Sequence, residues 1–172
     1  GGGGDSARWG CVCAAAGRAT SELAELGALS PGTSVLDVGC GIGGPSRVLA
    51  TRSGCRVTGI DLVGEYCRVA TMLALRACRD RSVRYCQASA LDLPFEDESF
   101  DGAYSQNVSM NIADKETFYA EAFRVVRPGG LFVAAEYAEG PGGAPVFPVP
   151  WALEPENSHL LKPDDLRRTV ES

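Results

Sequence analysis

No run of apolar residues in this 172-residue chain approaches the roughly 20 needed to span a bilayer. Basic residues are in the minority: 16 Lys and Arg against 22 Asp and Glu give a net charge of -6. Phosphate backbones select basic surfaces, so no nucleic-acid partner is expected. The chain opens on four glycines, without the basic stretch and apolar core of a secretory signal. A cytoplasmic location and no membrane partner are therefore expected. Histidine is scarce, with His159 alone, and Cys11-Val12-Cys13 is the only close cysteine pair. With no second pair and no histidine beside it, no metal site is expected. Seven cysteines are an odd number for a disulfide framework and read as thiols in a reducing compartment.

What is present is ordinary globular composition, 45% hydrophobic and 22% charged, in a length suited to one domain. Residues 1–18, rich in Gly and Ala without hydrophobic period, read as a loose tail, which leaves 19–172 as the domain. Leu23, Leu26 and Leu29 recur on one side of a short helix, and Ser30-Pro31-Gly32 makes a turn. Apolar runs bounded by turn residues then mark strands at 35–38, 56–60, 83–86, 100–104 and 131–135. Helical spacing fills the intervals: Pro45 to about Arg52, Val63 to Cys78, and a helix capped by Asp114 and ended by Pro128-Gly129-Gly130. Residues 139–150 are Gly/Pro-rich and read as loop, and one more short helix is expected from Pro163 to about Val170. Strands alternating with helices predict an α/β fold, a Rossmann-like doubly wound, mostly parallel sheet with helices on both faces.

The chemistry concentrates at the first strand-to-helix turn. Gly39-x-Gly41-x-x-Gly44 satisfies the dinucleotide fingerprint, and it follows a strand and opens a helix as that motif requires. Spacing alone permits more than one nucleotide cofactor. Asp37, two residues before the first glycine, tips the balance, because a carboxylate there repels a pyrophosphate lying against the loop. S-adenosylmethionine carries an ammonium and a sulfonium and no phosphate, so an acidic strand end suits it. Asp61, at the end of the second strand, is placed to accept from the hydroxyls of a ribose. Each carboxylate alone is also a reasonable cap for its own loop or helix.

Val35-Leu36-Asp37-Val38-Gly39-Cys40-Gly41-Ile42-Gly43-Gly44 resembles the first motif of the class I S-adenosylmethionine-dependent methyltransferases, in the group close to ubiquinone and menaquinone biosynthesis. The resemblance continues in order through Gly59-Ile60-Asp61-Leu62, Leu93-Pro94-Phe95 with Ser99-Phe100-Asp101, and Arg127-Pro128-Gly129-Gly130, over roughly residues 20–137. It implies backbone contacts from Gly39 and Gly41 to the methionine part of the cofactor. It also implies Asp61 on the ribose, Leu62 against the adenine, Ser89 and Ala90 along the adenine edge, and Gln106 near the methyl-transfer point. Many relatives carry an acidic or amide side chain where this chain has Ser89. The family's sheet continues with two further strands after the fifth, and the 35 or so residues after Tyr137 show no alternating strand, so a five-stranded, C-terminally short sheet is expected.

Methyl transfer from a sulfonium is an in-line displacement that needs alignment and calls for a base only when the nucleophile must lose a proton. Candidates near the carboxyl ends of the strands are Tyr104, Glu136 and Tyr137; His159 has the intrinsic pKa for the task, though it also fits a surface loop. Gln106-Asn107-Val108-Ser109-Met110-Asn111-Ile112 and Phe147-Pro148-Val149-Pro150-Trp151-Ala152 resemble segments of sarcosine and dimethylglycine methyltransferases, which implies a small amine acceptor. Trp151 serves equally as core packing. Two other readings stay open at this point: an S-adenosylmethionine-binding fragment or partner subunit without catalysis, and an NAD-dependent oxidoreductase.

Overall fold

The computed structural model describes residues 18–77 and 81–171. The N-terminal tail up to residue 17, its Cys-Val-Cys pair, and Cys78 therefore lie outside the described residues. Helix α1 covers residues 18–26. The remaining elements are β1 Ser34–Val38, α2 Gly44–Val48, β2 Arg56–Asp61, α3 Gly64–Arg76, β3 Val83–Gln87, β4 Phe100–Gln106, α4 Lys115–Arg124, β5 Val126–Ala135 and α5 Pro163–Glu171. Helix α2 runs on into one wider turn over Leu49–Ser53 and stops at Gly54, whose φ of 69° needs no Cβ.

All five strands are parallel, in the order β3-β2-β1-β4-β5. Chain direction across the sheet reverses between β1 and β4, and a crevice at the carboxyl ends of such strands is where ligands of this fold class sit. Burial on both faces explains why the strands read as continuous apolar runs. Val35, Val57, Val83 and Tyr104 point to one face, where Ala24 of α1, Leu49 and Ala50 after α2, and Ala74 of α3 cover them. Leu36, Val38, Ile60 and Ala103 point to the other, beneath Phe118 and Tyr119 of α4 and Leu166 and Val170 of α5. Within the described residues β5 has no strand on its outer side, so the sheet has five strands as the sequence implied.

Two boundaries depart from the sequence reading. The first is the inward side of α1, where Thr20, Ala24 and, just past its end, Gly27 are buried and Leu23 and Leu29 pack against the core, whereas Leu26 is 77% exposed. Small residues are selected there because Gly27 lies so near Val133 that a Cβ would come within 2.5 Å of its Cγ2. The second is β5, which pairs from Val126. Phe100 faces Val126 and then Gly102 faces Leu131, so Arg127-Pro128-Gly129-Gly130 is a bulge inside the strand and not the end of the helix. At Gly130 a Cβ would lie 2.5 Å from the Asp101 carbonyl oxygen, which excludes any side chain. Asp114 does cap α4, accepting from the Thr117 backbone N–H at 3.0 Å.

One ion-pair network fixes the loop between β3 and β4. Arg124 donates to the carbonyls of Leu93 and Phe95, to Asp97 and through two nitrogens to Glu121, while Glu121 accepts the Leu93 N–H. Arg124→Met keeps the stem and removes every donor. It is expected to cost about 2 kcal/mol, the scale of losing charge-assisted bonds to half-buried carbonyls, read as a lower urea midpoint at unchanged slope.

Candidate cofactor-binding site

The chain bends sharply directly after β1. Gly39, Gly41 and Gly43 have φ of 75°, 53° and 73°, a region costly for side-chain-bearing residues. Gly43, and not Gly44 of the formal motif, is the third required glycine. A Cβ on it would lie 2.3 Å from the Tyr85 hydroxyl, whose ring also fills the space over Gly59. The Tyr85 hydroxyl donates to the Gly43 carbonyl at 3.3 Å. The loop is pinned to β2 because Gly39 and Cys40 both donate to the Ile60 carbonyl, at 2.9 and 2.8 Å. At Gly41, by contrast, a Cβ would meet nothing within 4 Å. The loop therefore arches over open space at its middle glycine.

Asp61 closes the arch. One carboxylate oxygen accepts the Gly41 N–H and the other the Val63 N–H, both at 2.9 Å. A carboxylate has about four acceptor sites, so two remain for outside donors. The ends of β2 and β3 are tied by the Ala88 N–H on the Asp61 carbonyl and by Gln87 Nε2 on the Leu62 carbonyl. Leu62 itself is 71% exposed, and Ser89 folds its hydroxyl back to accept the Leu91 N–H. Ala90 packs against the core beside Ala88. Gln106 ends β4, its side-chain carbonyl accepting from the hydroxyls of Tyr104 at 2.6 Å and Thr20 at 3.0 Å. Gly39, Gly41, Asp61, Leu62, Ser89, Ala90 and Gln106 thus all lie at the carboxyl ends of β1 to β4.

Asp37 is placed differently from its sequence reading. Its carboxylate is 1% exposed beneath the loop and accepts the Ser46 hydroxyl at 2.5 Å. It fastens α2 to β1 and does not line the open space. Burial, opposed by the bond from Ser46, pushes its pKa up to about 7.

Of the base candidates, Tyr104 is fully buried, and burial raises its hydroxyl to about 12. It donates its proton to Gln106, so taking one up does not fit. Glu136 accepts three bonds, from Ser105 Oγ and the N–H groups of Val108 and Ser109, which leaves about one of its four acceptor sites. Tyr137 is half exposed and stacks on Trp151 at 4.7 Å, with the indole N–H donating to Ser158. His159 donates its backbone N–H to Met110 at 2.7 Å, which lays the segment after β5 against the loop after β4. Sequence reasoning missed Thr20, Ser46 and Tyr85, and read Val108 only as part of the segment after the fourth strand. Ser46 alone carried a usable signal, a hydroxyl one turn into the helix that Asp37 precedes.

A parallel sheet with a triple-glycine arch and a carboxylate ending the neighbouring strand defines a nucleotide-cofactor protein of the Rossmann-like class. Within that class the methyltransferase domain family matches residues 36–134, more than half of the chain, and the chain belongs to it. It is 41% identical over 119 residues to the 2-methyl-6-phytyl-1,4-hydroquinone methyltransferase of Synechocystis, covering 69% of this chain and 36% of that relative. Among solved structures it resembles a geranyl diphosphate methyltransferase in complex with S-adenosylmethionine, at 25% identity and TM-score 0.77, over 90% of this chain and 63% of that one. It also resembles the cyclase SpnF, at 27% identity and TM-score 0.79, over 91% and 56% of the two chains. The chain thus spans about a third of the length of the hydroquinone relative. Family membership removes the oxidoreductase reading.

Proposed function

We propose that this chain holds S-adenosylmethionine in the arch of the glycine loop and directs its methyl group to an apolar, isoprenoid-bearing acceptor. The observation that carries the cofactor half is the open space at Gly41, bounded by Asp61 with acceptor sites to spare. The acceptor half is supported by the names of two of the similar proteins, which carry phytyl and geranyl groups. An exposed apolar side chain at the same end, Ile42 at 49%, fits such an acceptor.

When bound, S-adenosylmethionine supplies a sulfonium methyl open to in-line attack. The chain's own residues then hold and orient. Gly41 leaves backbone unshielded by side chains at the arch, Asp61 offers acceptors to the ribose, and Leu62 and Ala90 offer apolar contact to the adenine. Holding donor and acceptor in line supplies up to about 7–11 kcal/mol of a displacement barrier.

Calorimetric titration with S-adenosylmethionine, S-adenosylhomocysteine and NAD tests the cofactor half. Binding of NAD and of neither other ligand would sink it. Asp61→Ala is expected to weaken S-adenosylhomocysteine binding by about 1.5–3 kcal/mol, the range for bonds to a charged group; unchanged affinity removes Asp61 from the ribose. Transfer of labelled methyl to a prenylated hydroquinone against sarcosine and dimethylglycine tests the acceptor. Turnover of the amines alone would favour the small-amine reading. Cofactor binding without transfer to either would favour a binding module, a reading kept alive by the share of the hydroquinone relative that the chain spans.

A further inference from the structure

We propose that Glu136 is a positioning residue of the cofactor site, acting through Val108 on the backbone of Gly39. The inference rests on the reading that the glycine loop holds S-adenosylmethionine. Glu136 follows directly on β5, and one carboxylate oxygen accepts Ser105 Oγ at 2.8 Å. Ser105 is fully buried on β4 and stands opposite Val38, the last residue before Gly39. The other oxygen accepts the N–H groups of Val108 at 2.9 Å and Ser109 at 2.8 Å.

Those two N–H groups converge because the chain leaves β4 through Asn107 at φ 60°, a left-handed residue without glycine's freedom. Successive N–H groups after such a residue form a concave anion site. Here the protein's own carboxylate fills it. The far side of the loop is held by the buried Lys115, whose Nζ donates to the carbonyls of Ser109 and Ile112, each at 2.7 Å. Pinned from both sides, the loop presents Val108 to Gly39 so closely that a Cβ there would lie 2.4 Å from Cγ2 and 2.8 Å from Cγ1. Val108 therefore backs the glycine at its 75° bend, and Glu136 decides where Val108 stands. A residue one strand beyond β4 sets the shape of the arch after β1.

A base at Glu136 and an anchor at Glu136 predict different losses. Removing a base slows transfer and leaves cofactor affinity alone. Removing this anchor loosens Gly39 and weakens the cofactor itself. The test titrates S-adenosylhomocysteine into the full chain carrying Glu136→Ala, Val108→Ala or both. Each single change is expected to weaken binding about tenfold, and the pair about twentyfold instead of the hundredfold of independent effects. A merely structural role lowers melting temperatures without such coupling in affinity. Should Glu136→Ala fail to fold, Ser105→Ala removes one of the carboxylate's three donors and takes its place in the cycle.

Undiminished binding by Glu136→Ala, or a hundredfold loss in the pair, overturns the inference while leaving the cofactor reading intact. Failure of the unsubstituted chain to bind S-adenosylhomocysteine overturns the cofactor reading, and the inference falls with it.

Discussion

Gly39→Ala is expected to unfold about 5–15 °C below the unsubstituted chain, whereas Gly41→Ala, two residues on, is expected to melt within a few degrees of it and lose cofactor affinity at least tenfold. Both positions have positive φ, so both pay about 1–2 kcal/mol for a Cβ in the left-handed region. They part in their surroundings. At Gly39 the added methyl lands on both Val108 methyls, and forcing an atom into packed space adds about 1–3 kcal/mol. At a chain of this size each kcal/mol moves the midpoint by about 2–4 °C. At Gly41 the methyl projects into open space and stands where the cofactor would lie. Scanning calorimetry and titration with S-adenosylhomocysteine on the two variants read the contrast. Equal melting losses would show that Val108 yields; unchanged affinity in Gly41→Ala would place the cofactor elsewhere.

Asp37 gives the second large effect, in pH. Its pKa is about 7 folded against 3.8 as a free carboxyl, raised by burial. Between those values the folded state keeps a proton that the unfolded state has released. Stability from this group is therefore greatest in acid and declines as pH rises toward 7, by about 4 kcal/mol in all. Glu121 and Asp114, whose pKa values are lowered by bonds from Arg124 and Thr117, act in the opposite sense at lower pH. A difference measurement isolates Asp37. Asp37→Asn keeps an acceptor for Ser46 and cannot ionise, so its stability relative to the unsubstituted chain should rise by about 3 kcal/mol from pH 5 to pH 8. Urea unfolding of both at three pH values measures this. A difference independent of pH would mean that Asp37 titrates normally despite its burial.

The parts of the site legible in the sequence were those fixed by local chemistry. Glycines at 39 and 41 announced a bend before any tertiary contact was known, and Asp61 announced a carboxylate at a strand end. Asp37 shows the limit. Its position was readable, yet whether its oxygens faced the open space or the space beneath the loop depended on Ser46, nine residues on, and on the helix that carries it. Tyr104 and Glu136 were eligible bases by residue type and by their place near the carboxyl ends of the strands. In the structure both are engaged: the phenol by Gln106 of its own strand and Thr20 of α1, the carboxylate by Ser105 of β4 and the backbone of Val108 and Ser109 after it.

By itself, then, the sequence determined the alternation of strands and helices and the place of the glycine arch after β1. Both follow from the apolar period, turn residues and backbone freedom within a few consecutive positions. Only the tertiary structure decided that Gly43 answers to Tyr85, that the arch opens at Gly41 and is backed at Gly39, and that Glu136 gathers Ser105, Val108 and Ser109. Each of those depends on groups brought together from strands distant in sequence, and side-chain packing and hydrogen-bond saturation exist only once the sheet has assembled.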